Sequence, residues 1–130
     1  MTKKILVVED EEDILELISE EFGNLDGYRI LCARDGEEAL TMAREYSPDI
    51  IILDIQLPKR NGYEVCRLIK SDPATSTSDT RILMISGMSQ NSDRYKALEA
   101  GADEYIVKPF CLVALVEKVE ELLRSNREGQ

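Results

Sequence analysis

The first candidate for chemistry is a carboxylate that ends an apolar run. Ile50 to Leu53 is wholly apolar, and Asp54 follows it directly. A short apolar run bounded by turn residues is typical of a strand buried on both faces of a parallel sheet. Open α/β sheets bind ligands at the carboxyl ends of their strands. Asp54 is therefore a candidate functional residue, although a lone Asp in such a place more commonly only caps a loop.

Polar side chains also end three other apolar runs. They are Glu9 and Asp10 after Lys3 to Val8, Ser86 at the end of Arg81 to Ser86, and Lys108 after Glu104 to Val107. Because the carboxyl ends of parallel strands meet at one edge of a sheet, we expect these side chains to converge with Asp54. Each has a simpler interpretation when taken alone, as a solvated helix start, a loop hydroxyl or a surface lysine. Their joint placement at four strand ends favours a shared site.

Three carboxylates in one cleft repel each other unless a cation lies among them. The chain contains no histidine, which excludes His-dependent nucleophilic catalysis and any His-ligated metal. Oxygen ligands indicate magnesium, calcium or manganese. Mg²⁺ fits best, with Mn²⁺ possible, because Mg²⁺ takes one or two carboxylates and keeps its other positions for water and a phosphate oxygen. An aspartate beside Mg²⁺ can act as a nucleophile and form an acyl phosphate. The ammonium of Lys108 and the hydroxyl of Ser86 would then contact oxygens of the phosphoryl group.

The elements that position these residues alternate in hydrophobic period. Five short strands are predicted at Lys3 to Val8, Tyr28 to Ala33, Ile50 to Leu53, Arg81 to Ser86 and Glu104 to Val107, with Asp54 directly after the third. Between and after them, helical spacing predicts five helices: one with Glu12 and Asp13 in its first turn, others over Glu37 to Tyr46, from Gly62 and over Asn91 to Ala100, and one from Leu112 with Arg124 in its last turn. In the first helix, the predicted inward residues are Ile14, Leu17, Ile18, Phe22 and Leu25. This alternation predicts an α/β fold with a doubly wound, five-stranded parallel sheet.

Composition limits the classes of partner. The 130 residues are enough for one domain, and 16 basic against 26 acidic residues give a formal net charge of −10. Such a surface argues against direct binding to nucleic acid or to an anionic membrane. With no secretory segment or membrane span in the sequence, we predict a cytoplasmic protein. The three cysteines, Cys32, Cys66 and Cys111, form no CxxC pair and are expected to be buried or half-buried.

From Lys3 to about Arg124 the chain resembles the receiver domain of bacterial two-component response regulators. Four segments carry the resemblance: Ile-Leu-Val-Val-Glu-Asp-Glu from Ile5, Leu-Asp-Ile-Gln-Leu-Pro-Lys-Arg-Asn-Gly from Leu53, Leu-Met-Ile-Ser-Gly from Leu83, and Gly-Ala-Asp-Glu-Tyr-Ile-Val-Lys-Pro-Phe from Gly101. The resemblance implies the flavodoxin-like receiver fold with strand order 2-1-3-4-5. It implies a receiver domain over residues 1–124 and a C-terminal tail over residues 125–130.

The resemblance also assigns roles to individual residues. It implies that Asp54 accepts a phosphoryl group from a phosphohistidine on a histidine kinase or a histidine phosphotransfer protein. Such a receiver catalyses its own phosphoryl transfer and its own dephosphorylation, and is otherwise a signalling protein rather than an enzyme. The implied Mg²⁺ ligands are Glu9, Asp10, Asp54 and the backbone carbonyl of Gln56. Lys108 would contact the phosphoryl group, and the peptide bond between Lys108 and Pro109 would be cis. Ser86 would move toward the phosphoryl group, and the rotamer of Tyr105 would follow Ser86.

Departures from the family pattern are modest. Glu9 stands where Asp is commoner, Ser86 where Thr is commoner, and Gly87 where Ala is frequent. In this family the residues two beyond the acceptor and two beyond the hydroxyl residue tune the lifetime of the acyl phosphate; here they are Gln56 and Met88. We predict that the apolar Met88 does not orient an attacking water, so that the phosphorylated form is long-lived.

The predicted output surface consists of Asn91 to Ala100, Tyr105 and Cys111 to Arg124, which would bind a downstream protein or a second copy of the chain. Three other functions share parts of this pattern. An aspartate-nucleophile phosphatase would need an acid/base Asp where Gln56 stands. A flavodoxin-like cofactor binder would need an anion-binding loop where the acidic segment Glu9 to Asp13 stands. A degenerate receiver kept as an interaction module would be expected to lack Asp54 or Lys108.

Overall fold

The computed structural model describes residues 2–72, 80–87 and 91–124. Within these ranges five parallel strands alternate with five helices, in the sheet order β2-β1-β3-β4-β5, as predicted. The elements are β1 (Lys3–Val8), α1 (Glu12–Gly23), β2 (Tyr28–Ala33), α2 (Gly36–Tyr46), β3 (Ile50–Asp54), α3 (Gly62–Ser71), β4 (Arg81–Ser86), α4 (Asn91–Glu99), β5 (Glu104–Val107) and α5 (Leu112–Arg124). Met88 and the predicted tail over residues 125–130 lie outside the described residues.

The sheet separates two apolar layers, which explains why its inner strands are apolar throughout rather than alternating. Ile5 and Val7 of β1 face the layer formed by α1 and α5, whereas Leu6 and Val8 face the layer formed by α2, α3 and α4. Every residue of β3 is buried. A strand covered on both faces must present apolar side chains to both. The central strand that ends at Asp54 is therefore fixed from both sides.

The first helix has Glu12 and Asp13 in its first turn, as predicted, but differs from its prediction in one inward residue. It begins at Glu12, and its buried residues are Leu15, Ile18 and Phe22. Leu17 was predicted to face inward, and this was wrong because its side chain is 53% exposed. The inward residues follow spacings of three and four from Leu15, so Leu17 lies to one side of the buried stripe.

The cysteines also divide differently from the prediction. Cys66 is buried and Cys32 is half-buried, but Cys111 is exposed at the start of α5. All three are free thiols. Burial raises the pKa of the Cys66 thiol to about 12, so this side chain is a neutral packing residue at ordinary pH. Among the described helices, none has the length and apolar character needed to cross a membrane.

Candidate functional site

Three carboxylates meet at the carboxyl edge of the sheet, as predicted. Glu9 directly follows β1, and Asp54 is the last residue of β3, the strand paired with β1. One carboxylate oxygen from each of Glu9, Asp10 and Asp54 lies within 4.8 Å of the others. Glu9 and Asp54 are only 1% and 4% exposed, whereas Asp10 faces solvent. The cluster thus combines two buried charges with one that is open to water.

Lys108, in the loop between β5 and α5, supplies a cation to this cluster. Its Nζ lies 2.9 Å from Asp54 Oδ2, 3.4 Å from Glu9 Oε1 and 3.9 Å from Glu11 Oε1. Partial burial would lower the pKa of Lys108, but the hydrogen bond and the charge of Asp54, together with Glu9, outweigh it and raise that pKa. Lys108 is therefore an ammonium and neutralises part of the cluster.

The Glu9 carboxyl is buried next to Asp54, in surroundings that disfavour its negative charge. Burial, followed by the nearby charge of Asp54, raises the pKa of the Glu9 carboxyl to about 7. Its Oε2 accepts a hydrogen bond from the Glu11 backbone N–H at 3.1 Å. Its buried Oε1 accepts no hydrogen bond from the residues that the structure describes, and the Lys108 ammonium lies 3.4 Å from it. The pocket is anionic, its possible metal ligands are carboxylate oxygens, and one of these oxygens is buried without a hydrogen bond from the described residues. Such a pocket fits a small divalent cation such as Mg²⁺.

The neighbouring strand end and loops complete the site. Ser86 is 3% exposed at the end of β4, and its carbonyl accepts the Lys108 backbone N–H at 2.7 Å. The Gln56 backbone N–H donates to Asp54 Oδ1 at 3.1 Å, which orients the carboxylate. The peptide bond between Lys108 and Pro109 is cis, as expected. Tyr105 is 6% exposed and packs in the layer of α2, α3 and α4.

The structure adds features that sequence reasoning missed. Glu11 contacts both Glu9 and Lys108. An apolar groove of about 430 Å³ opens beside Lys108, and its apolar lining residues are Ile14, Leu17, Ile18, Pro109, Phe110 and Leu112. The sequence signal for this groove was Leu17. A leucine beside the buried stripe of a helix, rather than within it, indicates apolar surface outside the core.

Comparison with known proteins agrees with this geometry. The family model of the response regulator receiver domain matches residues 5–120. Over 128 residues the chain is 41% identical to the alkaline phosphatase synthesis transcriptional regulatory protein PhoP of Bacillus subtilis, which covers 97% of this chain and 50% of that protein. The chain spans about half the length of the curated relatives it matches.

Solved structures agree along nearly the whole chain. The BeF3-activated receiver domain of DrrB, a Thermotoga maritima protein, has a TM-score of 0.84 and 33% identity, covering 95% of this chain and 99% of that one. Chemotaxis response regulator CheY4 of Vibrio cholerae has a TM-score of 0.85 and 26% identity, covering 94% and 99%. The chain therefore belongs to the response regulator receiver domain family, whose members are the phosphoacceptors of two-component signalling.

Proposed function

We propose that Asp54 is the phosphoacceptor of this receiver, and that a histidine kinase or a histidine phosphotransfer protein is the donor. One observation carries the proposal. The Asp54 carboxylate stands at the end of the central strand, 4% exposed, between the Lys108 ammonium and two further carboxylates. A buried nucleophile beside a cation, at the ligand-binding edge of an α/β sheet, is suited to phosphoryl transfer.

In the proposed reaction a carboxylate oxygen of Asp54 bonds to phosphorus while the bond from phosphorus to the donor's imidazole nitrogen breaks. The electron pair of that bond stays on the imidazole. The Gln56 N–H holds Asp54 Oδ1 and so orients the carboxylate. As Asp54 gives up its charge to the new bond, the Lys108 ammonium is released to a phosphoryl oxygen, and the Ser86 hydroxyl is placed to meet another. The chain thereby catalyses its own phosphorylation.

The same pocket would hold Mg²⁺, or Mn²⁺, through Glu9, Asp10, Asp54 and the backbone carbonyl of Gln56. The buried Glu9 Oε1, which accepts no hydrogen bond within the described part of the chain, supports this ligand set. When bound, the cation supplies charge neutralisation for the phosphoryl oxygens. Gln56 stands where an aspartate phosphatase needs its acid/base Asp, which favours a signalling acceptor over a turnover enzyme.

Acetyl phosphate tests the proposal without a partner protein. We expect the wild-type chain to gain one phosphoryl group by intact mass in the presence of Mg²⁺, and none when EDTA removes the cation. Peptide mapping after borohydride reduction should locate the group at Asp54. Phosphorylation that is unaffected by EDTA would contradict the proposed metal site, and a different acceptor residue would contradict the proposed mechanism.

We propose that phosphorylation acts on the output surface predicted above, Asn91 to Ala100, Tyr105 and Cys111 to Arg124. A phosphoryl group adds about −1.5 to −2 charge at pH 7 and would draw the Ser86 and Lys108 loops toward it. Since Tyr105 lies two residues before the end of β5, its ring would respond to that movement. Exposed apolar side chains on this surface, Tyr95, Leu98 and Val113, support a protein partner or a second copy of the chain.

The lifetime of the phosphorylated form is proposed to depend on Met88 and Gln56. An apolar side chain at position 88 would not orient a water for attack on the acyl phosphate. We therefore expect Met88→Glu to accelerate dephosphorylation, measured as loss of the phosphoryl mass after acetyl phosphate is removed. Met88→Leu is the matched control and should leave the rate unchanged. A rate in Met88→Glu equal to or slower than the wild-type rate would count against this role.

We also propose that this receiver works in the cytoplasm and does not itself bind nucleic acid or membrane. Its net charge of −10 supports the absence of direct contact with polyanions. PhoP and the related ycf27 proteins are named as transcriptional regulators and are about twice as long as this chain. In our proposal the receiver contributes the phosphorylation-dependent switch, and a protein partner or an attached domain contributes the output.

A further inference from the structure

The loop between β3 and α3, residues 55–61, packs closely against the start of α2. The Gly36 backbone N–H donates to the Pro58 carbonyl at 3.2 Å. A Cβ added at Gly36 would lie 2.6 Å from both the Cβ and the carbonyl oxygen of Arg60, and 3.0 Å from Val65 Cγ2. One of these atoms belongs to the backbone, so the clash could not be relieved by a side-chain rotation. The loop and the helix therefore meet at a distance that only glycine permits.

The backbone conformation of Gly36 does not require glycine. Gly36 is the first residue of α2, and its φ lies outside the left-handed region, unlike those of Gly27 and Gly101. Glycine within a helix costs up to about 1 kcal/mol relative to alanine. The helix start is instead stabilised by Asp35, whose side chain accepts the Glu38 N–H at 2.8 Å. Close approach to Arg60 is thus the physical reason for glycine at this position.

Ion pairs join the same two segments. Arg60 Nε lies 2.6 Å from Glu37 Oε2, and Arg60 NH1 lies 2.8 Å from Glu64 Oε2. Lys59 Nζ lies 3.6 Å from Asp35 Oδ2. Pairs as exposed as these contribute little, about 0–1 kcal/mol each. The close packing of Gly36 against Arg60 therefore constrains the position of the loop more strongly than the ion pairs do. The ion pairs add a weak attraction between the loop and α2.

The loop reaches the acidic pocket only a few residues away. Lys59 has a φ of +70°, a conformation that non-glycine residues adopt only when their surroundings hold them in it. At the far end Gly62 closes the loop, since its N–H donates to the Ile55 carbonyl at 2.7 Å and an added Cβ would lie 2.5 Å from the Asp54 carbonyl oxygen. A shift imposed at Arg60 is thus passed on to Gln56 rather than absorbed.

We propose that Gly36 is a positioning residue for the acceptor site. Its contact with Arg60 sets the position of the loop that carries Gln56 above Asp54. The inference rests on the proposed function, because there the Gln56 carbonyl is a cation ligand. It adds that a residue on α2, without any contact to the carboxylates, determines how well that ligand is placed. The effect of Gly36 on the site is therefore indirect and passes through the loop.

The test compares Gly36→Ala with Gly23→Ala, a matched control in which the added Cβ meets nothing within 4 Å. Mg²⁺ binding is measured by isothermal titration calorimetry, and amide hydrogen exchange of residues 55–61 is measured without added Mg²⁺. We expect Gly36→Ala to weaken Mg²⁺ binding about tenfold, as outer-shell changes at metal sites do, and to accelerate exchange in the loop. Gly23→Ala should match the wild-type chain in both measurements.

Wild-type values for both Mg²⁺ affinity and loop exchange in a folded Gly36→Ala variant would overturn the inference. If circular dichroism shows that Gly36→Ala does not fold, Arg60→Gly carries the test, because it removes the Cβ that Gly36 approaches, with Arg60→Ala, which keeps that Cβ, as its control. The expected loss of Mg²⁺ affinity for Arg60→Gly relative to Arg60→Ala is then about two- to threefold, and equal affinities in the two variants would overturn the inference. If the wild-type chain binds no Mg²⁺, the proposed function is contradicted instead. Amide hydrogen exchange of residues 55–61 would still test the contact between Gly36 and Arg60.

Discussion

Replacing Asp54 with asparagine should abolish phosphoryl acceptance altogether. An amide has no anionic oxygen to attack phosphorus, whereas its size and shape match those of the carboxylate. With acetyl phosphate and Mg²⁺, we therefore expect one phosphoryl group on the wild-type chain and none on Asp54→Asn, read by intact mass. Asp13→Asn is the matched control, because Asp13 is an exposed carboxylate on the first turn of α1, and it should accept phosphate like the wild type.

The same variant tests whether the signal passes from Asp54 to Tyr105. In wild type, phosphorylation should change the NMR signals of the Tyr105 ring, because the charge at Asp54 draws on the Ser86 loop beside β5. Asp54→Asn should show no such change under identical conditions, although it remains folded. A phosphoryl group on Asp54→Asn, or a Tyr105 response without phosphorylation, would contradict the assignment of Asp54 as the acceptor that drives the switch.

Glu9→Gln should remove most Mg²⁺ affinity and, without Mg²⁺, flatten the dependence of stability on pH. The pKa of the Glu9 carboxyl is about 7 in the folded chain and about 4.5 when unperturbed, with burial as the largest cause and Asp54 the next. Between these values the folded chain binds more protons than the unfolded chain. The free energy of unfolding therefore falls as pH rises from about 4.5 through 7, by an amount on the order of 3 kcal/mol from this group.

Glutamine fills the same space without a charge, so the part of the pH slope contributed by Glu9 should disappear. Urea titrations without Mg²⁺ measure the free energy of unfolding of both chains. The difference between wild type and Glu9→Gln should change between pH of about 4.5 and 7, and the variant should be the more stable at pH 8. Calorimetry at pH 8 should give Mg²⁺ binding at least about tenfold weaker in Glu9→Gln. Glu16→Gln, at an exposed position on α1, is the control. If the free energy of unfolding depends on pH in the same way for Glu9→Gln and wild type, the Glu9 carboxyl does not have a raised pKa in the folded chain.

Much of the fold could be predicted because its signals are local. The apolar runs of β1, β3 and β4 need no partner to be recognised, since a strand covered on both faces must be apolar throughout. The predicted bounds of β1, β2, β4 and β5 agree with the structure, and β3 extends one residue further, to Asp54. The site residues Glu9, Asp54, Ser86 and Lys108 were found by the same logic, because each follows or ends such a run. Strand order came from the family resemblance rather than from periodicity.

Burial at the site was decided by tertiary packing. Glu9 and Asp10 are adjacent and chemically alike in the sequence, yet Glu9 is 1% exposed and Asp10 faces solvent. The difference arises because the chain beyond β1 directs the Glu9 side chain toward Asp54 and Lys108, which are 45 and 99 residues away in sequence. The raised pKa of Glu9 is a consequence of that meeting, and no local pattern contains it.

Leu17 and Gly36 illustrate the same limit at two other places. Helical spacing admits both Leu15 and Leu17 as inward residues, and only the position of α1 against β1 and α5 selects Leu15. Gly36 follows Asp35 in what is locally a turn, whereas its contact with Arg60 exists only when α2 and the loop after β3 are packed together. The sequence by itself determined the elements and the set of reactive side chains, because apolar period and residue type are local properties. Tertiary structure alone decided their burial, charge state and spacing, because these depend on atoms contributed by distant parts of the chain.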